Sequence, residues 1–392
     1  MTLGNEIIKL LQDNGHEAYY AKETARSING KLPDHPKHVN IATSASLSKI
    51  RDLCRKEGLP CRIHNKINKM TLELIVKNKY IIAPFIKTTI KNNYAVRKYS
   101  DNKDDYMNSQ GFTINATLYD PIAKKAYYAK DAKSDLSDKN KVIRLVGDPH
   151  GKITENRMYL LEAGKILADL GGKWQVDFAT FEAIQQRALE IAIVSAEAVR
   201  WAFTDLMKHS DTPSLAFRFY KNTGMLTEIL PELMRGVNLA QSNKANNLDL
   251  FNHIMYALDS VTKDKHNAEP LRWACIFHDI AKPYTKSFDK KGNVHFYGHD
   301  KIGAIFATRW LEAHKFDRSL INKVATICRH HLFDASLRLD DKAINKLIGR
   351  VGKEHILDLI DMREADRYGT GRPDISMKKV EILREKVKKL LK

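Results

Sequence analysis

The stretch Cys-Ile-Phe-His-Asp-Ile-Ala-Lys-Pro at residues 275–283 places an imidazole next to a carboxylate, at His278 and Asp279. Adjacent nitrogen and oxygen ligands of this kind are what a bridged metal site requires. Other residues with metal-ligand chemistry occur on both sides of the stretch: His253, His299, His330, His331 and Asp366. Most lie in predicted helices, whose side chains can converge on the core of a bundle. The absence of thiolates from the set suits a hard or borderline divalent ion such as Mn, Ni, Fe, Mg or Zn.

Taken singly, each of these histidines is more simply explained as a packed or surface side chain. Their order changes the interpretation, because His…His-Asp…His…His…Asp with Lys282 three residues after Asp279 resembles the HD superfamily of metal-dependent phosphohydrolases from about residue 250 to 370. The resemblance implies a first metal held by four side chains: His253, His278, Asp279 and Asp366. It implies a second metal completed by His299 and His330, with Asp279 bridging.

His331 competes with His330 for the second metal. Neighbours on a helix point about 100° apart, so both cannot take the same role. We favour His330 and leave His331 for substrate or packing. By the same resemblance Asp279 and Lys282 are the expected catalytic residues, with Lys282 facing a phosphate, and two ions drawn from Mn, Ni, Fe or Mg are the expected cofactors.

The length of the chain limits its number of domains, and its net charge indicates the kind of partner it can bind. A length of 392 residues predicts two or three domains. The net charge is +18, and residues 51–100 carry twelve Lys or Arg against three acids. Such a field attracts polyanions such as RNA, and solubility together with a codon bias toward Lys, Asn and Ile is the alternative explanation. Four dispersed cysteines, no signal-peptide pattern and no apolar run of about 20 residues predict a cytoplasmic protein without a membrane span.

The secondary-structure pattern changes twice along the chain. Residues 3–16 predict a helix, 47–57 predict another, and short β-rich runs predict five strands: 39–42, 72–76, 80–86, 112–118 and 125–128. After Gly147 the pattern is helical, and the polar run 241–247 predicts a loop. The predicted fold class is α+β: an α/β head at residues 1–148, an all-helical neck at 149–240 and an all-helical HD domain at 248–392.

The first half carries a second resemblance. The runs Ile41-Ala-Thr-Ser-Ala45 and Phe112-Thr-Ile-Asn-Ala116, followed by Arg144-Leu-Val-Gly-Asp-Pro149, resemble bacterial class II tRNA nucleotidyltransferases and poly(A) polymerases. An HD module at this position is familiar in that family. The resemblance covers nearly the whole chain.

The family's catalytic carboxylates do not match. Nucleotidyl transfer uses clustered carboxylates to hold two Mg ions. In the family, two aspartates one residue apart precede the Ile-Ala-Thr run, where this chain has His38 and Asn40, and a third carboxylate position holds Gly111. Asp34 lies nearby and stays open as a replacement. The family's glycine pair corresponds to Lys22-Glu23.

Four arginines are expected to contact RNA, as remnants of the family's binding surface: Arg26, Arg144, Arg157 and Arg200. The expected partner is tRNA or tRNA-like RNA, with no membrane and an undetermined oligomeric state. A domain used only for packing or dimerisation is the alternative.

The leading hypothesis from the sequence is therefore a divalent-metal-dependent phosphohydrolase or phosphodiesterase on a tRNA nucleotidyltransferase-like scaffold. Its expected substrates are RNA ends or 2′,3′-cyclic and other nucleotide phosphoesters, with nucleotidyl transfer lost. One alternative is an active CCA-adding enzyme with unusual carboxylates. Another is a non-catalytic tRNA-binding protein.

Overall fold

The structure, a computed structural model, describes residues 2–28, 38–65, 72–76, 79–92, 94–240, 248–333, 338–372 and 376–391. Its contacts divide the chain into two compact units. Unit 1 comprises residues 1–163 and 173–187, and unit 2 comprises residues 164–172 and 188–392. The loop predicted at residues 241–247 and the open candidate Asp34 lie outside the described residues. The division into head, neck and HD domain stays a prediction.

Unit 1 is built around a seven-stranded sheet of order β3-β4-β5-β2-β1-β8-β9. Its strands are β1 Ala18–Ala21, β2 Val39–Thr43, β3 Cys61–Asn65, β4 Leu72–Val76, β5 Tyr80–Pro84, β8 Thr117–Asp120 and β9 Lys125–Tyr128. Two further pairs stand apart from it: β6 Ile86–Lys91 with β7 Tyr94–Tyr99, and β10 Val142–Ile143 with β11 Gln175–Val176. Only β2 and β5 run parallel within the large sheet.

Helices cover both faces of this sheet. They are α1 Leu3–Asp13, α2 Lys22–Ile28, α3 Leu47–Lys56, α4 Lys103–Ser109 and α5 Ala132–Asp135. Two further helices, α6 Pro149–Glu155 and α8 Phe178–Gln186, pack against each other, and α6 also contacts the β6–β7 hairpin. Because side chains alternate along a strand, Tyr20 packs with Ile8 on one face while Tyr19 packs with Phe85 on the other. The Ser46 side chain caps α3 by accepting from the Lys49 amide.

In its described residues, unit 2 is helical apart from one short hairpin. Helix α7, Tyr159–Leu170, runs from unit 1 into it. Then follow α9 Ala196–His209, α10 Ser214–Asn222, α11 Met225–Ile229, α12 Pro231–Met234, α13 Leu250–Ser260, α14 Ala268–Phe277, α15 Lys282–Thr285, α16 His299–Ala313, α17 Arg318–His330, α18 Asp341–Val351, α19 Ile356–Tyr368 and α20 Lys378–Leu390. The hairpin is β12 Lys286–Phe288 with β13 Val294–Phe296.

The predicted α+β fold class is confirmed, and several local predictions are corrected. The strand expected at 112–118 begins only at Thr117, because Thr113–Asn115 form a 3₁₀ turn in which the Thr113 hydroxyl donates to Asp135 at 2.8 Å. The segment expected to be an all-helical neck contributes β11 to a parallel pair. Strand β1 and the β6–β7 hairpin were not predicted. Short strands with irregular polar spacing lack a clear two-residue period.

Candidate metal centre and nucleotidyltransferase-like site

Five helices of unit 2 and their ends bring six side chains together. His253 lies within α13, His278 and Asp279 directly follow α14, His299 begins α16, His331 directly follows α17, and Asp366 lies on α19. The apolar stripes of α13 and α14 are buried, so the polar side chains among them point into the core. Five of the six are themselves buried, and Asp366 is half-buried. The sequence-predicted set therefore meets in three dimensions, with one exchange described below.

The first group consists of His253, His278, Asp279 and Asp366, whose candidate ligand atoms all lie within 4.8 Å of one another. The His253 and His278 Nε2 atoms are 3.2 Å apart. Asp366 Oδ1 lies 3.1 Å from the first of these nitrogens and 3.4 Å from the second. Asp279 Oδ2 lies 3.4 Å and 3.3 Å from the same two. The four atoms converge as ligands of one cation would.

The second group consists of Asp279, His299 and His331. It uses the other carboxylate oxygen, since Asp279 Oδ1 lies 3.1 Å from His299 Nε2 and 3.5 Å from His331 Nε2. The two imidazole nitrogens are 3.3 Å apart. Asp279 thus presents one oxygen to each group, which is the arrangement expected of a bridging carboxylate.

Backbone carbonyls orient three of the imidazoles. The Nδ1 atoms of His278, His299 and His331 contact the carbonyl oxygens three residues earlier, at 2.9, 2.5 and 2.7 Å. A carbonyl can only accept, so each Nδ1 carries the proton and each Nε2 is left as a potential ligand. Metal-binding histidines are commonly held by this kind of bond from the other ring nitrogen.

Charge in the cluster is strongly coupled. Burial alone would lower the pKa of His278, but Asp279 and Asp366 outweigh it and raise that pKa to about 10. Burial would raise the pKa of Asp279, but Lys282 and the neighbouring histidines hold it well below its usual range. Paired carboxylates with facing imidazole nitrogens thus demand positive charge. A divalent ion would meet that demand, so the residues fit the metal that the sequence predicted.

The structure brings His331, and not the predicted His330, into the second group. His331 is 1% exposed and joins Asp279 and His299, whereas His330 is half-buried and outside both groups. The two side chains do diverge, as expected of neighbours on a helix. Helix α17 ends at His330, and the orientation of its last turn decides which imidazole faces the core.

Lys282 supports the cluster from its edge. Its Nζ lies 2.5 Å from Asp279 Oδ2 and over the Phe296 ring at 5.6 Å. The ammonium therefore balances the bridging carboxylate in this structure. Its expected role at a phosphate stays a prediction.

Gly303 sets the distance between α16 and the chain after α14. A Cβ atom at this position would lie 2.7 Å from the Phe277 carbonyl oxygen and 3.3 Å from that of His278. We expect Gly303→Ala to lower the free energy of unfolding by about 1–3 kcal/mol, because the added methyl group can be accommodated only if α16 or the backbone after α14 shifts. Since α16 carries His299, bound metal should also fall. Denaturant unfolding and metal analysis measure the two effects.

Gly349 provides the matched control. It is an exposed glycine of α18, and a Cβ there would meet nothing within 4 Å. Gly349→Ala should stabilise the protein by about 0.5–1 kcal/mol and leave metal content unchanged. Equal effects of the two substitutions would show that Gly303 does not set the helix spacing.

The nucleotidyltransferase-like positions lie in unit 1 at the start of β2. The Asn40 amide nitrogen donates to Thr24 Oγ1 at 2.9 Å, and its side-chain Nδ2 donates to Glu23 Oε2 at 3.3 Å. Glu23 thus places a carboxylate beside the position where the family has an aspartate. In the sequence Glu23 is recognisable only as a replaced glycine, because its approach to Asn40 depends on how α2 packs against β2.

Gly111 has a packing role. A Cβ atom there would lie 2.3 Å from the Tyr159 ring, and the Gly111 carbonyl accepts from the Val146 amide at 2.9 Å. A carboxylate at this position would have to displace the Tyr159 ring. The absence of the third carboxylate is therefore built into the packing of unit 1.

The candidate RNA-binding arginines Arg26, Arg144 and Arg200 form contacts within their own units. Arg26 is 5% exposed and donates to the Ile114 carbonyl at 3.2 Å, so in this structure it holds the backbone of unit 1. Arg144 forms ion pairs with Asp135 and Asp177 at 3.0 and 2.8 Å. Arg200 donates to the Lys315 carbonyl. A role in RNA contact stays a prediction for Arg144, Arg157 and Arg200.

Comparison with known proteins supports both resemblances. The HD domain family matches residues 246–371, so the C-terminal region contains an HD domain. The chain is 27% identical over 289 residues to the A-adding tRNA nucleotidyltransferase of Deinococcus radiodurans, covering 70% of this chain and 62% of that protein. It is 32% identical over 164 residues to the CC-adding tRNA nucleotidyltransferase of Thermus thermophilus, covering 41% and 37%. It therefore spans less than two thirds of either relative.

Solved structures show the same fold. The CCA-adding enzyme of Bacillus stearothermophilus in complex with CTP superimposes with a TM-score of 0.68 at 18% identity, covering 98% of this chain and 80% of that one. The Thermotoga maritima CCA-adding enzyme complexed with tRNA gives 0.56 at 13% identity, covering 100% and 82%. This chain is homologous to bacterial CCA-adding tRNA nucleotidyltransferases, and the predicted recognition is confirmed.

The expected activity is corrected by these findings. The homologues and structural neighbours are nucleotidyltransferases, not phosphohydrolases, and no comparison shows that transfer is lost. The assignment as a metal-dependent phosphohydrolase without transferase activity is therefore wrong. An intact HD motif does not by itself define the activity of the chain that carries it, because one fold can host different functions. In the described part of the chain, no helix has both the length and the apolar character needed to cross a membrane.

Proposed function

We propose that this protein acts on the 3′ end of tRNA as a nucleotidyltransferase of the CCA-adding type. The observation that carries the proposal is the sequence match to an A-adding tRNA nucleotidyltransferase over 70% of the chain. Such a reaction joins the tRNA 3′-hydroxyl oxygen to the α-phosphorus of a nucleoside triphosphate and releases pyrophosphate.

The charge of the chain supports tRNA as the partner. A net charge of +18 attracts a polyanion, and each phosphate contact by Lys or Arg adds affinity by releasing counterions. Binding of this kind reads the shape and charge of the backbone more than its sequence.

Glu23 is the proposed replacement carboxylate of the transfer site. Its carboxylate oxygen and the Asn40 side-chain oxygen are both ligand types that Mg²⁺ accepts. A carboxylate can approach a triphosphate only with a cation between them, so this site would require a divalent ion. That ion would neutralise charge on the phosphate oxygens. Glu23 and Asn40 would hold it beside the start of β2.

The second proposed cofactor is held in the HD domain by His253, His278, Asp279, His299, His331 and Asp366. We propose two divalent ions bridged by Asp279, chosen from Mn, Ni, Fe or Mg, because nitrogen and oxygen ligands occur together without thiolate. Lys282 would balance the bridging carboxylate.

Nucleotide incorporation tests the proposed function. With tRNA lacking its 3′ end, Mg²⁺ and labelled CTP or ATP, the protein should extend the RNA. Glu23→Gln removes the carboxylate charge at nearly constant volume and should slow incorporation at least about tenfold, equivalent to ~1.4 kcal/mol in the barrier. Glu57→Gln, an exposed glutamate of the same unit, is the matched control and should retain the rate.

The outcomes separate the alternatives. Incorporation that Glu23→Gln leaves unchanged would remove Glu23 from the proposal and keep the activity. Tight, salt-sensitive tRNA binding without incorporation would instead favour a non-catalytic tRNA-binding protein. If the protein neither binds tRNA nor incorporates nucleotides, the proposal is overturned.

A further inference from the structure

The β6–β7 hairpin of unit 1 lies outside the seven-stranded sheet. Its strands pair antiparallel from Ile86 opposite Tyr99 to Lys91 opposite Tyr94. Strand β6 contacts α4 and α6, and β7 contacts α6. Two-stranded hairpins are marginal alone, so this packing holds the hairpin in place.

Alternation along the strands separates two faces. One face contains Ile86, Thr88, Ile90, Ala95, Arg97 and Tyr99. Ile90 and Tyr99, at its two ends, are exposed, and the other four residues are half-buried. The other face, here called the lysine face, contains six residues: Lys87, Thr89, Lys91, Tyr94, Val96 and Lys98. All of these except Val96 are exposed, and Tyr94 reaches 75% exposure.

The lysine face carries unbalanced positive charge. Lys87 and Lys98 are directly opposite each other, an arrangement that destabilises a sheet unless an anion compensates it. Residues 86–99 include four basic residues and no acidic one. Lys87 Nζ lies 3.5 Å from Asp105 Oδ1, but within the described residues neither Lys91 nor Lys98 forms an ion pair. An uncompensated cationic face of this kind favours a polyanion.

Tyr94 adds a second kind of recognition. Its ring is exposed and stands opposite Lys91 at the end of the hairpin. An exposed ring costs free energy in water, and aromatic side chains among cationic ones are typical of surfaces that stack unpaired bases while binding phosphates. Duplex contacts alone would not need an aromatic side chain.

We propose that the lysine face is a docking surface for RNA, with Lys91 and Lys98 contacting phosphates and Tyr94 stacking on an unpaired base. The proposal deepens the proposed function, on which it rests for the identity of the RNA as tRNA. It assigns recognition to a hairpin distinct from the residues at Glu23 and Asn40. Loss of the surface should therefore weaken RNA binding more than the transfer step on bound RNA.

Binding of fluorescently labelled tRNA across a salt series tests the lysines. For the double variant Lys91→Gln/Lys98→Gln, the negative slope of log affinity against log salt should become shallower by about 1.5, because each lost phosphate contact removes ~0.7–0.9 from its magnitude. The control Lys133→Gln/Lys139→Gln makes the same charge change at exposed positions of the same unit and should preserve the slope. Melting curves of both variants should match that of the unaltered protein.

Tyr94 is tested separately. Tyr94→Ala should weaken tRNA binding at least about fivefold with little change in slope, since stacking is worth ~1–3 kcal/mol per base. Tyr94→Phe keeps the ring and should retain affinity. Suppose that the unaltered protein binds and extends tRNA while the hairpin variants bind tRNA as tightly as the unaltered protein does. That result would contradict the lysine face as a docking surface and leave the proposed function intact. If the unaltered protein fails to bind tRNA, both proposals fall.

Discussion

Replacing Asp279 by Asn is expected to remove both proposed metal ions from the purified protein. Asp279 is buried and directs Oδ2 toward His253 and His278 and Oδ1 toward His299 and His331. Asparagine keeps the shape but loses the charge and one anionic oxygen. We expect affinity for either ion to fall at least about 100-fold, the upper end of what losing a supporting residue costs at metal sites. Elemental analysis after dialysis measures the loss.

Substitutions in the same unit sharpen this test. Asp317→Asn alters an exposed carboxylate and should leave the metal content unchanged. His331→Ala should remove one ion, whereas His330→Ala should remove none, because only His331 faces Asp279. Unchanged metal content in Asp279→Asn would contradict the bridged arrangement.

Trp273→Ala is expected to lower the free energy of unfolding of unit 2 by about 3–5 kcal/mol, the range typical of a buried tryptophan. Trp273 is 0% exposed. Its ring centroid lies 5.8 Å from that of Phe203, 6.0 Å from Phe277, 4.9 Å from Trp310 and 5.5 Å from Phe316. Truncation leaves a cavity bounded by rings from α9, α14 and α16 and from the turn after α16, which cannot collapse without moving these elements.

Trp201→Ala provides the control on the same unit. Trp201 is 54% exposed, and truncating it should change the free energy of unfolding by no more than about 0.5 kcal/mol. Both variants should be unfolded in urea with a chelator present, so that metal binding does not add to either value. Similar losses in the two variants would show that the aromatic cluster around Trp273 contributes little.

Much of the metal centre was predictable from residue order. His253, His278, Asp279, His299 and Asp366 are recognisable because each stands in a helical pattern and the intervals between them match a known constellation. His331 was not, because two adjacent histidines at the end of a helix differ only in direction. That direction depends on how α17 packs.

The head was harder to predict. Strand β1 has no alternating polarity, since Tyr19 and Tyr20 are both buried on opposite faces of one sheet. The turn at Thr113–Asn115 depends on Asp135, which is 22 residues away along the chain. Long-range contacts of this kind override local strand propensity.

The sequence alone established a basic α+β protein and its two family resemblances, and the second resemblance implies that His38, Asn40 and Gly111 stand where the family has carboxylates. These features depend only on the identity of the residues and on their spacing along the chain, so no tertiary structure is needed to recognise them. Only tertiary packing decided that His331 completes the second group, that Glu23 meets Asn40, that Gly111 accommodates Tyr159, and that one face of the β6–β7 hairpin is left cationic and exposed. Each of these depends on the direction of a side chain relative to elements distant in sequence.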